Sequence, residues 1–190
     1  MDKYVYDGTR ILKNKLGIKS QEELSLFEHK ITMPRIILLR ERKSKFTRTF
    51  DFNHLKNIHH YLFSDIYDWA GKIRDVDIAK GNSLFCKAVY IERYAEDIFR
   101  EIKKKNYFKE TSKEELSLKL AEVLLDLNAL HPFREGNGRT QREFIRELAE
   151  ERGDNLSFEH FSIKENIKLS DLALNPEILA DKLNEGMKKI

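Results

Sequence analysis

The sequence predicts an all-α domain carrying one small β-hairpin. Three observations lead there. Apolar residues recur at three- and four-residue spacing along most of the chain, the period of a helix with one buried face. Glycine and proline, which interrupt helices, number only 8 and 3 in 190 residues. One stretch, from Ile73 to Tyr90, leaves that period and reads as two short extended segments around Lys80-Gly81-Asn82-Ser83.

Taken in order, the opening to about Gly17 reads as irregular. Ser20 with Glu23 three residues on is a capping-box pattern, and Leu24, Phe27 and Ile31 continue it at helical spacing. Pro34 is expected to open a second short helix through Ile37 and Leu38, because a first turn tolerates proline. The basic run Arg40 to Lys45 reads as a solvated helix end and loop. Leu55, Ile58, Leu62, Phe63 and Ile66 line one face of a helix that starts near Asn53. His54, His59 and His60 invite a metal reading, but His59 and His60 point to different sides of that helix and no nearby carboxylate completes a tetrahedral set. They are expected to be structural.

Beyond the hairpin, the only strand-like piece expected, helices resume. Ile91, Ala95, Ile98, Phe99 and Ile102 make one stripe closed by Lys103-Lys104-Lys105, which suits a helix C-terminus. Ser112 with Glu115 is a second capping box, followed by Leu116, Leu120, Val123, Leu124 and Leu127 in a helix expected to cross the domain centre. Pro132 stops it. The next helix starts near Arg139, carries Phe144, Ile145 and Leu148, and ends around Gly153. Two more are expected, Lys164 to Leu172 and Pro176 to Met187, the latter capped by Asn175. The whole reads as one compact unit: a lead-in, residues 1–49, packed on a core, residues 50–190.

Composition excludes several functions. Lys plus Arg total 35 against 32 Asp plus Glu, a formal charge of +3. Direct nucleic-acid binding is not expected from so even a balance. A single cysteine, Cys86, forms no internal disulfide and no cysteine metal cage. The longest apolar run, Ile36 to Leu39, is far too short for a bilayer, and the start does not read as a signal peptide. A cytoplasmic protein without membrane contact is the expectation.

The segment that carries chemistry is His131-Pro132-Phe133-Arg134-Glu135-Gly136-Asn137-Gly138-Arg139-Thr140-Gln141-Arg142. Gly136, Asn137 and Gly138 give a backbone able to reach positive φ and to approach a ligand closely. They stand immediately before a helix, so free N–H groups and the positive helix end converge into an anion site, most naturally for phosphates. Arg139 and Arg142, three residues apart, share a helix face and can reach one anion. Glu135 sets a carboxylate beside that polyphosphate, a common way to hold Mg²⁺. His131, at the loop entrance, ordinarily titrates near neutrality and suits a general base.

This segment resembles the Fic family signature, His-x-Phe-x-Asp/Glu-Gly-Asn-Gly-Arg-x-x-Arg, with every defining position filled. The likeness extends to Tyr61 through Phe85, which is similar to the family's helix and flap hairpin, and suggests coverage from about residue 50 to 185. The lead-in, Tyr4 to Ile18, looks like that of bacterial Fic toxins and related secreted effectors. The resemblance implies transfer of AMP from ATP, with Mg²⁺, to a Ser, Thr or Tyr hydroxyl of a protein. It assigns proton abstraction to His131, Mg²⁺ to Glu135 and the α- and β-phosphates to Gly136, Asn137 and Gly138. The β/γ end falls to Arg139 and Arg142, and Phe133 anchors the loop in the core. The hairpin, Asp77, Ile78, Ala79, Lys80, Gly81, Asn82, Ser83, Leu84 and Phe85, becomes a flap that docks the target backbone, with Leu84 and Phe85 offering apolar contact.

Phosphorylating relatives depart from Gly-Asn-Gly and this chain does not, so AMP transfer is favoured. The toxin-like branch implies a type IIA topoisomerase target, gyrase or topoisomerase IV. The alternatives are a secreted effector acting on host small GTPases and a non-catalytic ATP-sensing regulator. The family's inhibitory pattern, Ser/Thr-x-x-x-Glu-Gly/Asn, has no strict match. Ser162 to Glu165-Asn166 is one residue short, and Glu185-Gly186 has Asp181 where the hydroxyl belongs. The inhibitory glutamate is therefore expected from a separate small antitoxin that pairs with Arg142.

Overall fold

The computed structural model describes residues 2–43, 46–80, 83–159, 161 and 175–189. The expected helix from Lys164 to Leu172, the Ser162–Asn166 pattern and the turn residues Gly81 and Asn82 lie outside them. Among the described residues the chain forms six α-helices and two short antiparallel strand pairs, and one hydrophobic core takes side chains from every helix.

Helix α1 (Gln21–Arg40) starts where the capping pattern places it, with Ser20 accepting from the Glu23 N–H. Pro34 does not open a second helix; it lies inside α1. A proline there removes one N–H and crowds the carbonyl four residues back. Leu24, Glu28, Thr32, Ile36 and Leu39 are buried along one face on both sides of it, so packing holds the helix continuous. Helix α2 (Phe52–Phe63) is capped by Asp51, which accepts from the His54 N–H at 2.8 Å. Helix α3 (Ile91–Lys104) ends on its lysines, and α4 (Lys113–Leu130) is capped by Ser112 accepting from the Glu115 N–H at 3.2 Å. Helix α5 (Asn137–Arg152) closes on left-handed Gly153, and α6 (Pro176–Gly186) is capped by Asn175. Helix α4 packs against α3, α5 and α6, and α2 packs against α1, α3 and α5.

Strands β1 (Ala79–Lys80) and β2 (Ser83–Leu84) form the expected hairpin, pairing Ala79 with Leu84 and Lys80 with Ser83. It is not the only strand pair. β3 (Asp154–Leu156) pairs with β4 (Met187–Lys189), so α6 ends one residue before Met187 rather than at it. Only the mutually paired Leu156 and Met187 supply buried apolar side chains there, too few to leave an alternating pattern in the sequence.

The lead-in joins the same core through Tyr4 and Leu12, and Asp2 pairs with Arg134 at 2.7 Å. Arg40 is not merely a solvated helix end: its Nη2 lies 3.1 Å from Glu143. Arg48 reaches Glu150 at 2.6 Å and Glu147 at 3.3 Å, while Arg146 reaches Glu143 at 2.8 Å and Glu150 at 2.9 Å. His54 Nε2 sits 2.8 Å from Glu147 Oε2, too poorly aligned for a hydrogen bond. This network ties the back of α5 to α1 and to the segment before α2. No helix among the described residues is long and apolar enough to cross a membrane.

Arg146→Met removes the buried cation shared by Glu143 and Glu150, leaving them paired with Arg40 and Arg48. The expected loss in urea unfolding is about 3 kcal/mol, the scale for breaking a buried pair by removing one partner. A change below about 1 kcal/mol, the scale of an exposed pair, contradicts the network's role.

Candidate active site

The reversal between α4 and α5 needs two left-handed backbone residues, and they bracket the site. His131 ends α4 at φ 44° and ψ 61°, with its N–H donating to the Leu127 carbonyl at 2.9 Å. Gly136 precedes α5 at φ 81°. A Cβ at Gly136 would stand 2.4 Å from the Phe63 ring, so backbone conformation and packing both demand glycine. Gly138 lies within α5, so of the three loop residues only Gly136 takes positive φ.

Asn137 spends its side chain inside the loop. Its Oδ1 accepts from the Phe133 N–H at 2.9 Å and its Nδ2 donates to the Phe133 carbonyl at 2.7 Å. The side chain is buried and cannot also face a ligand. What the turn offers an anion is backbone: the N–H groups of Asn137, Gly138 and Arg139 begin α5 and have no intrahelical acceptor.

Beneath the loop lies an aromatic stack. The His59 ring rests 3.9 Å from the Phe133 ring at 18° and 4.7 Å from Phe63. The Gly71 N–H donates to His59 Nδ1 at 2.8 Å, so the proton sits on Nε2, which donates to the Glu135 carbonyl at 2.9 Å. Burial pushes the His59 pKa down to about 3, which keeps this neutral tautomer in place at any ordinary pH. His60 Nδ1 meets the Ala70 carbonyl at 3.0 Å. The histidines hold structure, as their sequence positions indicated, and His59 holds the loop itself.

His131 Nδ1 faces the Asn128 carbonyl at 3.2 Å, which places the proton on Nδ1 and makes Nε2 the basic nitrogen. The Phe85 ring stacks on it at 3.8 Å and 17°. Phe85 is therefore buried on the histidine and not offered to a target, whereas Leu84 is 78% exposed. Beside the flap, Leu84, Phe85, Tyr90, Tyr94, Ile98 and Val123 line part of an open groove of about 610 Å³ between α3 and α4. Glu135 Oε1 accepts from the Gly136 N–H at 2.8 Å, and the carboxylate is about half exposed. A hard oxygen donor in that position suits Mg²⁺ shared with phosphate oxygens. Among the described residues no cluster of three His, Cys, Asp or Glu forms a cage.

The two arginines differ. Arg139 pairs with Glu28 of α1 and lies 3.7 Å from Glu135, its guanidinium 4.6 Å above the Phe63 ring. The Tyr67 hydroxyl donates to the same Glu28, and burial raises the Tyr67 pKa. Arg142 has no carboxylate at ion-pair distance among the described residues. Burial first, and Arg139 second, hold its pKa down to about 10, still charged near neutrality. Its Nη1 reaches back to the start of α5, 3.3 Å from where a Gly138 Cβ would stand. Glu185 is exposed on α6 and makes no pair with Arg142. Sequence reading missed Glu28, whose only local signal is a carboxylate at helical spacing between the apolar Leu24 and Ile36. It also missed Arg74, a basic residue in the segment leading to the flap with no local signal to set it apart from Lys72.

The loop thus brings a histidine, a half-exposed carboxylate, bare helix-end N–H groups and a desolvated arginine together beside a short hairpin on a helical scaffold. Comparison with known proteins identifies the class. The Fic/DOC family profile matches residues 49–149. The chain belongs to that family. It is 39% identical over 169 residues to the protein adenylyltransferase VbhT of Bartonella schoenbuchensis, covering 89% of this chain and 35% of that protein. The Fic protein of Escherichia coli (strain K12) is 34% identical over 158 residues, 83% of this chain and 77% of that one. The chain thus spans about a third of the length of VbhT. Among solved structures, the BepC protein of Bartonella tribocorum with bound AMPPNP superposes with a TM-score of 0.86 at 25% identity, covering 98% of this chain and 97% of that one. The N-terminal Fic domain of a Bartonella quintana effector with bound ADP gives 0.88 at 28% identity, with 98% and 94% covered.

Gly136→Ala should lower ATP affinity and cost roughly 1–3 kcal/mol of stability through the forced left-handed conformation and the Phe63 contact. Phe63→Leu in that background should recover part of the stability. If Gly136→Ala binds ATP and melts like the wild type, the loop is not fixed as described.

Proposed function

We propose that this chain transfers AMP from ATP to a hydroxyl side chain of a protein. The observation that carries the reading is His131. Its tautomer is set by the Asn128 carbonyl, and it ends α4 across the turn from the free N–H groups that begin α5. Three relatives bearing the protein adenylyltransferase name, at 33 to 39% identity, support it.

In this reading the target hydroxyl oxygen attacks the α-phosphorus while His131 Nε2 takes its proton. The bond from the α-phosphorus to its bridging oxygen breaks, and pyrophosphate leaves. The N–H groups of Asn137, Gly138 and Arg139 cradle the α- and β-phosphates, and Arg142 supplies charge toward the terminal phosphates, so positioning and charge stabilisation do most of the work. Arg139 must share its guanidinium between Glu28 and a phosphate. Glu135 would hold Mg²⁺, whose contribution is neutralisation of polyphosphate charge. The flap would dock the target backbone along Asp77 to Ser83, with Leu84 as the apolar contact in place of Phe85.

The finer reading is a bacterial toxin acting in the cytoplasm on a type IIA topoisomerase, restrained by a small antitoxin. Arg142 without a carboxylate partner among the described residues is what leaves room for an inhibitory glutamate from another chain. A second reading, an effector delivered to host cells, draws on the VirB-translocated Bartonella effectors whose Fic domains superpose on this chain.

His131→Ala should keep ATP binding within about twofold while transfer falls by roughly 10²- to 10⁴-fold, the usual worth of general-base catalysis. Labelled ATP, Mg²⁺ and a bacterial lysate provide the assay. A wild-type chain that binds ATP and labels nothing is a nucleotide sensor instead, and an alanine variant with unchanged turnover removes the base from the mechanism.

A further inference from the structure

Arg74 is among the largest fully buried side chains of the described residues, 1% exposed, and pairs with no carboxylate among them. Its guanidinium is spent on backbone. Nε donates to the His131 carbonyl at 2.8 Å, Nη1 to the Val76 carbonyl at 2.6 Å, and Nη2 to the carbonyls of Cys86 and, at 3.5 Å, Leu130. The Arg74 N–H also donates to the Pro132 carbonyl at 2.9 Å. These carbonyls come from three places: the chain entering the hairpin, the chain leaving it, and the C-terminal end of α4. The last supplies the negative end of a helix, which offsets the buried charge without a counter-ion.

Two further contacts follow the same line. The Cys86 N–H donates to the Ala129 carbonyl at 2.9 Å, and Phe85, one residue earlier, stacks on the His131 ring. The flap is thus joined to the end of α4 on both sides of the base. A two-stranded hairpin of this length is marginal by itself. Something must hold it in register with His131, and the Arg74 side chain touches both hairpin stems and the histidine's own backbone.

We propose that Arg74 is a positioning residue that locks both stems of the flap to the carbonyls of Leu130, His131 and Pro132, so that flap and base move as one unit. Its action on transfer rests on the AMP-transfer reading above; the mechanical lock does not. Lysine cannot replace it, because a single ammonium cannot span four carbonyls that the planar five-donor fork reaches together.

The test combines hydrogen exchange with kinetics on the full chain. In Arg74→Lys and Arg74→Met, the Cys86 amide should lose at least about tenfold of its protection while interior amides of α4, such as Leu124, keep theirs. ATP affinity should stay within about twofold, and kcat for transfer to a protein hydroxyl should fall about 10²-fold, the cost of misplacing a reacting group by about an ångström. Unchanged Cys86 protection overturns the lock. So does equal loss at Cys86 and Leu124 together with loss of ATP binding, which is the signature of a general scaffold residue. Should both variants fail to fold, the wild type decides: in graded urea the Arg74 and Cys86 amides should open in one event, and separate openings contradict the proposal. A wild-type chain that shows this exchange pattern yet transfers no AMP would sink the functional reading and leave the lock standing.

Discussion

The fold turns on one geometric constraint: within six residues the chain must leave α4, reverse and enter α5, with both helices buried. Two left-handed residues make that turn, His131 and Gly136, and the segment between them would otherwise carry unpaired polar backbone into the core. The structure answers with internal partners. Asn137 pairs both ways with Phe133, His59 takes the Glu135 carbonyl, and Arg74 takes those of Leu130 and His131. With these satisfied, the N–H groups that begin α5 remain without an intrahelical acceptor, where a phosphate can use them.

That economy explains why a mostly structural histidine matters to chemistry. His59 is neutral because it is buried, and its tautomer is fixed because Gly71 donates to one nitrogen. It therefore holds the Glu135 backbone while leaving the carboxylate outside, about half exposed. The aromatic layer of Phe63, His59 and Phe133 sets the height of the loop, and Gly136 is the point where that layer comes too close for any side chain. On the other side of α5 the arginine–glutamate network fixes the helix that carries Arg139 and Arg142.

Much of this was legible in the sequence, for local reasons. Ser20, Ser112 and Asn175 cap helices because capping is a short-range interaction between a side chain and the next turn. The loop between α4 and α5, with the family signature it carries, was legible because its residues are contiguous. What escaped depends on distant partners. Pro34 stays helical only because residues on both sides of it bury against the rest of the domain. The β3–β4 pair joins segments more than thirty residues apart with one apolar contact. Glu28 meets Arg139 from more than a hundred residues away, and Arg74 has a role only when two hairpin stems and a helix end surround it. Phe85, expected to offer a target apolar contact, is buried with its ring stacked on His131.

The claim at the centre of this account is that the loop breaks ATP at its α-phosphate and leaves AMP on a protein hydroxyl. ATP labelled at the α-phosphate, compared with ATP labelled at the γ-phosphate, tests it most directly when each is incubated with the chain, Mg²⁺ and a bacterial lysate. Over a lysate without the chain, added label on protein should come from the α-position and none from the γ-position, and the α-label should be absent with His131→Ala. Label carried from the γ-position would show phosphoryl transfer and contradict it.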